Sequence, residues 1–184
     1  MNHEGIGWQR PAAVDVGYPA SGGARAALVL SDNPRFEQLT ATRVTWLETV
    51  APYEPGQFYK RELPAVQAVL AELPELPDLL LIDGFVDLDP DGTPGLGRRV
   101  HREFGFPVIG VAKTAFRSAL HALEVSRGQS TRPLYVTAAG LEPKSAADLV
   151  RQLSGRHRIP DALRAVDRLS KGLDPGMSLA RNGS

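Results

Sequence analysis

Two short, unbroken apolar runs restrict the possible fold more than any other feature of this chain. Residues 77–83 read PDLLLID and residues 106–112 read FPVIGVA. A short run that is apolar on both sides suits a strand inside a sheet whose two faces are both covered by helices. The flanking sequence supplies candidate helices. Over 58–73, Leu63, Val66, Val69, Leu70 and Leu73 recur at helical spacing, and Pro64 is expected in the first turn, where its missing N–H does little harm. Further helices are expected over 95–104, 114–123, 144–153 and 161–170. Pro160 and Asp161 suit the start of the last.

The first third reads differently. Residues 12–18 (AAVDVGY), 24–30 (ARAALVL) and 40–50 (TATRVTWLETV) are three strand-like stretches, the first two joined by the turn formers PASGG. Short links predict an antiparallel meander. A last strand is expected over 133–139. A meander followed by alternating strands and helices implies an α/β protein: a ribonuclease-H-like mixed sheet, antiparallel meander plus parallel strands, with helices on both faces. We expect one domain over 1–184, ordered from about 10 to 171, with a loose tail from Gly172.

Lys plus Arg and Asp plus Glu both number 21, so formal charge is zero, which argues against a broad, non-specific electrostatic grip on nucleic acid. A local basic patch remains compatible with such binding. The absence of cysteine excludes disulfides, thiolate metal sites and a cysteine nucleophile. No apolar run approaches the ~20 residues of a membrane span, and the N-terminus lacks a secretory pattern. A cytoplasmic monomer without membrane association is expected. The chain has no GxxxxGK[ST] loop, no GxGxxG after a strand and no GxSxG elbow.

Three acids stand where chemistry is most often built. Asp15 interrupts an apolar strand, a costly place for a lone carboxylate unless it is paired or metal-bound. Asp83 closes a buried strand at its carboxyl end, where α/β sheets form ligand sites. Glu62 lies near the start of a helix, where the dipole favours an acid. If the strands of Asp15 and Asp83 are neighbours, their carboxylates repel unless a hard divalent cation lies between them. Each acid also has a plainer reading. Asp15 could pair with Lys113 or an arginine, Asp83 could bond the turn after its strand, and Glu62 could simply cap a dipole. Arg98, Arg99, His101 and Arg102 form a basic cluster, as do Arg156 and Arg158; either could touch phosphates or be a solvated surface. His3, His121 and His157 read as ordinary histidines, His121 on a helix.

The blocks AAVDVGY, PYEPGQFYKRELPAV, PDLLLIDG and FPVIGVAK, in that order over residues 12–113, together resemble endonuclease V; RIPDALRAVD (158–167) extends the likeness. The resemblance implies a metal-dependent endonuclease that cuts a phosphodiester near a deaminated base, inosine above all, in DNA or RNA. It implies Mg²⁺ or Mn²⁺ as cofactor and Asp15, Glu62 and Asp83 as metal ligands. Pro52, Tyr53, Glu54 and Pro55 match a strand-separating wedge, and Gly84 a glycine of the pocket that receives an extruded base. Lys113 matches a lysine that steadies a phosphate or transition-state charge, or it bridges to one of the acids. The chain also departs from the pattern. Where the family has DGHG, this chain has Asp83-Gly84-Phe85-Val86. Leu141 takes the place of a late histidine, with Glu142 as a candidate replacement ligand. The segment between Lys113 and Leu134 is short. These departures motivate the alternative of a catalytically impaired binder of nucleic acid or protein on the same scaffold.

Overall fold

The computed structural model describes residues 7–180. Strands β1 (Pro11–Gly17), β2 (Ala24–Leu30) and β3 (Ala41–Leu47) form the expected antiparallel meander. Helix α1 (Tyr59–Ala71) leads to β4 (Leu79–Asp83), which pairs parallel with β1. Helix α2 (Leu96–Phe104) leads to β5 (Val108–Ala112), parallel to β4. Then come β6 (Leu123–Val125), β7 (Leu134–Ala139), α3 (Pro143–Gln152) and α4 (Asp161–Ser170). The sheet order is β3-β2-β1-β4-β5-β7-β6, a ribonuclease-H-like arrangement.

Strand residues alternate between two cores, as a pleat requires. Ala13, Val29, Leu81, Ile109 and Val136 pack under α3 and α4, while Val14, Leu28, Leu80 and Ile82 pack under α1 and α2. The leucines of β4 are fully buried, and each such side chain contributes on the order of 1.5–3 kcal/mol. Among the described residues no helix is long and apolar enough to cross a membrane.

Four expectations fail here for physical reasons. Residues 114–123 form turns rather than a helix, with β6 at their end. Their helical spacing has no core to meet: Leu120 is 84% exposed and Phe116 48%, and a short helix without packing is marginal. His121 accordingly lies in a turn. Pro64 falls in the second turn of α1, not the first, and leaves one carbonyl of the preceding turn without its usual donor. The tail is not loose throughout: Ala180 N donates to Leu39 O at 2.6 Å, Leu39 N donates to Ser178 O, and Met177 packs against the core. The direction of β7, which the sequence left open, is antiparallel to β5 and sets how the chain enters α3.

Candidate active site

The carboxyl ends of β1, β4 and β5 make one edge of the sheet. The β1–β4 register pairs Ala13 with Leu81 and Val14 with Ile82; one step further it sets Asp15 beside Asp83 on the same face. Glu62, in the first turn of α1, completes the set. Asp15, Glu62 and Asp83 line one gap of about 10 Å³, with Val14, Val66 and Ile82 closing its apolar side.

Each acid has a different partner. Ser170 Oγ, at the end of α4, donates to Asp15 Oδ2 at 2.9 Å. The helix can come so near because residue 17 is glycine: a Cβ there would stand 2.5 Å from the Ser170 carbonyl oxygen. Lys113, just past β5, places Nζ 2.5 Å from Asp83 Oδ2, so the ion-pair reading of this lysine is the arrangement found, with Asp83 rather than Asp15. No donor among the described residues meets the Glu62 carboxylate; Tyr18, whose buried hydroxyl also lacks a partner, lies close enough to feel its charge.

The electrostatics follow from this crowding. Burial first, then the charges of Asp15 and Asp83, push the Glu62 carboxyl up to about 8. Burial also raises Asp15, opposed by the Ser170 hydrogen bond and reinforced by Asp83. Burial works against charge on Lys113, but the hydrogen bond and charge of Asp83 outweigh it and raise the lysine above its ordinary value. Among the described residues, no three or more His, Asp or Glu side chains are arranged so that they could hold a metal ion as they stand. The donor chemistry nonetheless fits a hard divalent cation. The site offers only oxygens as ligands and holds three carboxyls against one ammonium, one of them raised by burial and by the charges of the other two.

A second cavity, of about 380 Å³, shares Glu62 and Asp83 with that gap and is otherwise lined by aromatic rings, glycines and leucines. Tyr53, Phe58, Phe85 and Phe116 line it; the Phe85 and Phe116 ring centroids are 5.9 Å apart, those of Tyr53 and Phe58 6.4 Å. Gly84 lies in its wall at φ 135°, a conformation that side chains rarely adopt. Tyr53 is 63% exposed on a loop with Pro52 and Pro55 also at the surface, and Lys60 anchors that loop through Glu54 at 3.0 Å.

Other candidates are placed elsewhere. Because β7 is antiparallel to β5, Ala139 pairs with Val108, at the start of β5. Gly140, Leu141 and Glu142 therefore leave the sheet at the edge opposite Asp83. Leu141 does not stand in for a catalytic histidine, and Glu142 is not a replacement ligand. His101 is at that same far edge, its Nδ1 2.7 Å from the Phe106 carbonyl oxygen. Arg98 is committed to Asp87 through two bonds, of 2.9 and 2.5 Å, and Arg99 lies over the Tyr59 ring, so that basic cluster is mostly spent inside the fold. Ser170 escaped the sequence reading, since one serine at a helix end carries no signal of its contact 155 residues away.

Comparison with known proteins agrees with this fold. The profile described as endonuclease V matches residues 2–139. An endonuclease V from Azotobacter vinelandii is 36% identical over 180 residues, covering 86% of this chain and 80% of that protein. The crystal structure of endonuclease V from Streptomyces avermitilis superposes with a TM-score of 0.75 at 26% identity, covering 89% of this chain and 80% of that one. The Ciona intestinalis endonuclease V, solved with a DNA containing inosine, has a TM-score of 0.75 at 18% identity, covering 90% and 85% of the two chains, a likeness of fold. With the profile covering most of its length and that degree of identity to a full-length relative, this chain belongs to the endonuclease V family.

Proposed function

We propose that this protein hydrolyses a phosphodiester near a deaminated base, hypoxanthine in an inosine nucleotide being the first to test, with a divalent cation held by Asp15, Glu62 and Asp83. One observation carries the reading: the three-acid gap and a base-sized aromatic cavity share Glu62 and Asp83 as a common wall. A base held in the one and a phosphate at the other would lie within one nucleotide's reach of each other. The complex of the Ciona intestinalis relative with inosine-containing DNA supports the choice of substrate.

Asp15, Glu62 and Asp83 would hold Mg²⁺ or Mn²⁺, which would supply polarisation of a phosphoryl oxygen and activation of the attacking water. The chain's own residues do the rest. Ser170 holds Asp15 in one orientation. Burial and the charges of Asp15 and Asp83 raise the Glu62 carboxyl, and a cation in the gap would favour its ionised form as a ligand. Lys113 releases Asp83 and offers its ammonium to the scissile phosphate, where charge develops. Tyr53, stiffened between Pro52 and Pro55, stacks at the mouth and keeps the extruded base from returning. Gly84 lets the backbone close on that base. Phe85 and Phe116 hold it by stacking, which is tolerant of base identity, so discrimination against other unpaired bases is expected to be modest.

The test is direct. Purified protein with Mn²⁺ should nick an inosine-containing strand, and Asp83→Ala should lower the rate by about a hundred- to a thousandfold, the scale of losing a central electrostatic group. A well-folded protein that cuts no inosine-containing DNA or RNA with either metal overturns the reading. The Lys113–Asp83 ion pair favours one alternative, an impaired binder in which the lysine has replaced the cation. Binding of the strand without metal-dependent nicking would establish that alternative.

A further inference from the structure

The outer side of α4 carries a cationic groove that the chemistry above does not use. Its volume is about 500 Å³. Arg156, His157, Asp161, Arg164 and Arg168 form one wall, and the tail at 175–177 forms the other. Asp161, Arg164 and Arg168 recur on one face of the helix, with the two arginines roughly 6 Å apart along its axis. The charges are only weakly compensated. Arg164 meets Asp161 at 3.5 Å, a surface contact of little worth. Arg168 donates Nε to the Asp174 carbonyl at 2.6 Å, which pins the tail wall and leaves the positive charge in place. A second groove, of about 460 Å³, shares Arg156 and His157 and continues to Arg158.

The Arg158 end of this track reaches the reacting centre, whereas Arg168 lies on the opposite side of α4 from the Ser170 that bonds Asp15. Arg158 donates to the Lys113 carbonyl and, at 2.8 Å, to that of Pro133. The whole chain is electrically neutral, so three arginines against one acid are a local concentration and not the overflow of a basic protein.

We infer that the α4 groove binds the phosphodiester backbone of the nucleic-acid strand, beyond the nucleotides held at the cut. The inference rests on the endonuclease reading of the neighbouring site. Guanidinium forks match phosphate oxygens, and contacts of this kind set register without reading sequence. Continuity with the centre that must hold the same strand favours a polynucleotide over an acidic protein.

The experiment uses the full chain and fluorescence anisotropy with undamaged single strands of two lengths, one covering only the acid site and one reaching past α4. The double variant Arg164→Gln/Arg168→Gln should bind the long strand about tenfold more weakly at low salt, and its plot of log affinity against log salt should flatten by about 1.4, two phosphate contacts for a single strand. Its affinity for the short strand should match that of the unaltered protein. Arg156→Gln, which lies outside the helix, should flatten the same plot by about 0.7, so a distorted α4 cannot be the cause. Arg43→Gln removes the same charge from β3, far from the groove, and should change neither. The inference is overturned if the double variant behaves like Arg43→Gln, if it loses the short strand equally, or if polyglutamate displaces the long strand as well as a polynucleotide does. Nicking of inosine-containing strands is scored separately: groove-dependent binding without nicking sinks only the endonuclease reading, and nicking without groove dependence sinks only the groove.

Discussion

Glu62 is where burial and like charge meet in the three-acid gap. Its carboxyl titrates at about 8 in the folded chain, against an ordinary value of 4.5. Between those values the unfolded chain has released a proton that the folded chain retains, so stability falls as pH rises from 4.5 to about 8 and levels off above. Glu62→Gln removes that titration. Without metal, the variant should match the parent near pH 4.5 and melt higher at pH 8, by about 2–4 °C for each kcal/mol relieved. Thermal melts at the two pH values check this; an equal gain at both would mean that the ionisation is not the cause. The acid's candidacy was legible from its place after a proline-rich loop in the first turn of a helix. Its crowding was not, because Asp15 and Asp83 reach it from strands 47 residues before it and 21 after it.

Among elements, the contact of α4 with β1 governs the site. Gly17 leaves room for the Ser170 carbonyl, which in turn sets the hydroxyl on Asp15. Gly17→Ala should force the helix off the strand, at a cost of about 1–3 kcal/mol for overpacking, and lower nicking as Asp15 loses its donor. Denaturant midpoints and nicking rates together check this; an alanine variant as stable and as active as the parent would show that the helix yields freely. The elements that formed as expected are those with a core to face: β4 and β5 between two helical layers, and α1 against the meander. The stretch 114–123 has helical spacing and no such surface, and it forms turns. Nothing in residues 134–139 marks their direction, yet that direction sends Leu141 and Glu142 to the wrong edge of the sheet.

At the scale of the molecule, the two helical layers share a single sheet, so loss of one core should expose the other. We expect one cooperative unfolding unit. Trp8 packs against the core beneath α3 and α4, whereas Trp46 is 45% exposed on the edge strand β3. In a Trp46→Phe variant, the fluorescence of Trp8 and the far-ultraviolet circular dichroism should report the same denaturant midpoint. Separated midpoints would mean that the layers unfold independently.

What the sequence determined by itself is the family and the α/β class, because strand hydrophobicity, turn chemistry and motif order are local properties written along the chain; it also singled out the three acids that the fold brings to one gap. Tertiary structure alone decided that Lys113 pairs with Asp83, that Ser170 orients Asp15, that aromatic rings gather beside Glu62, and that the arginines of α4 face the tail. Each of those depends on which strands become neighbours and in which direction they run, and a pairing between distant segments leaves no mark on either one.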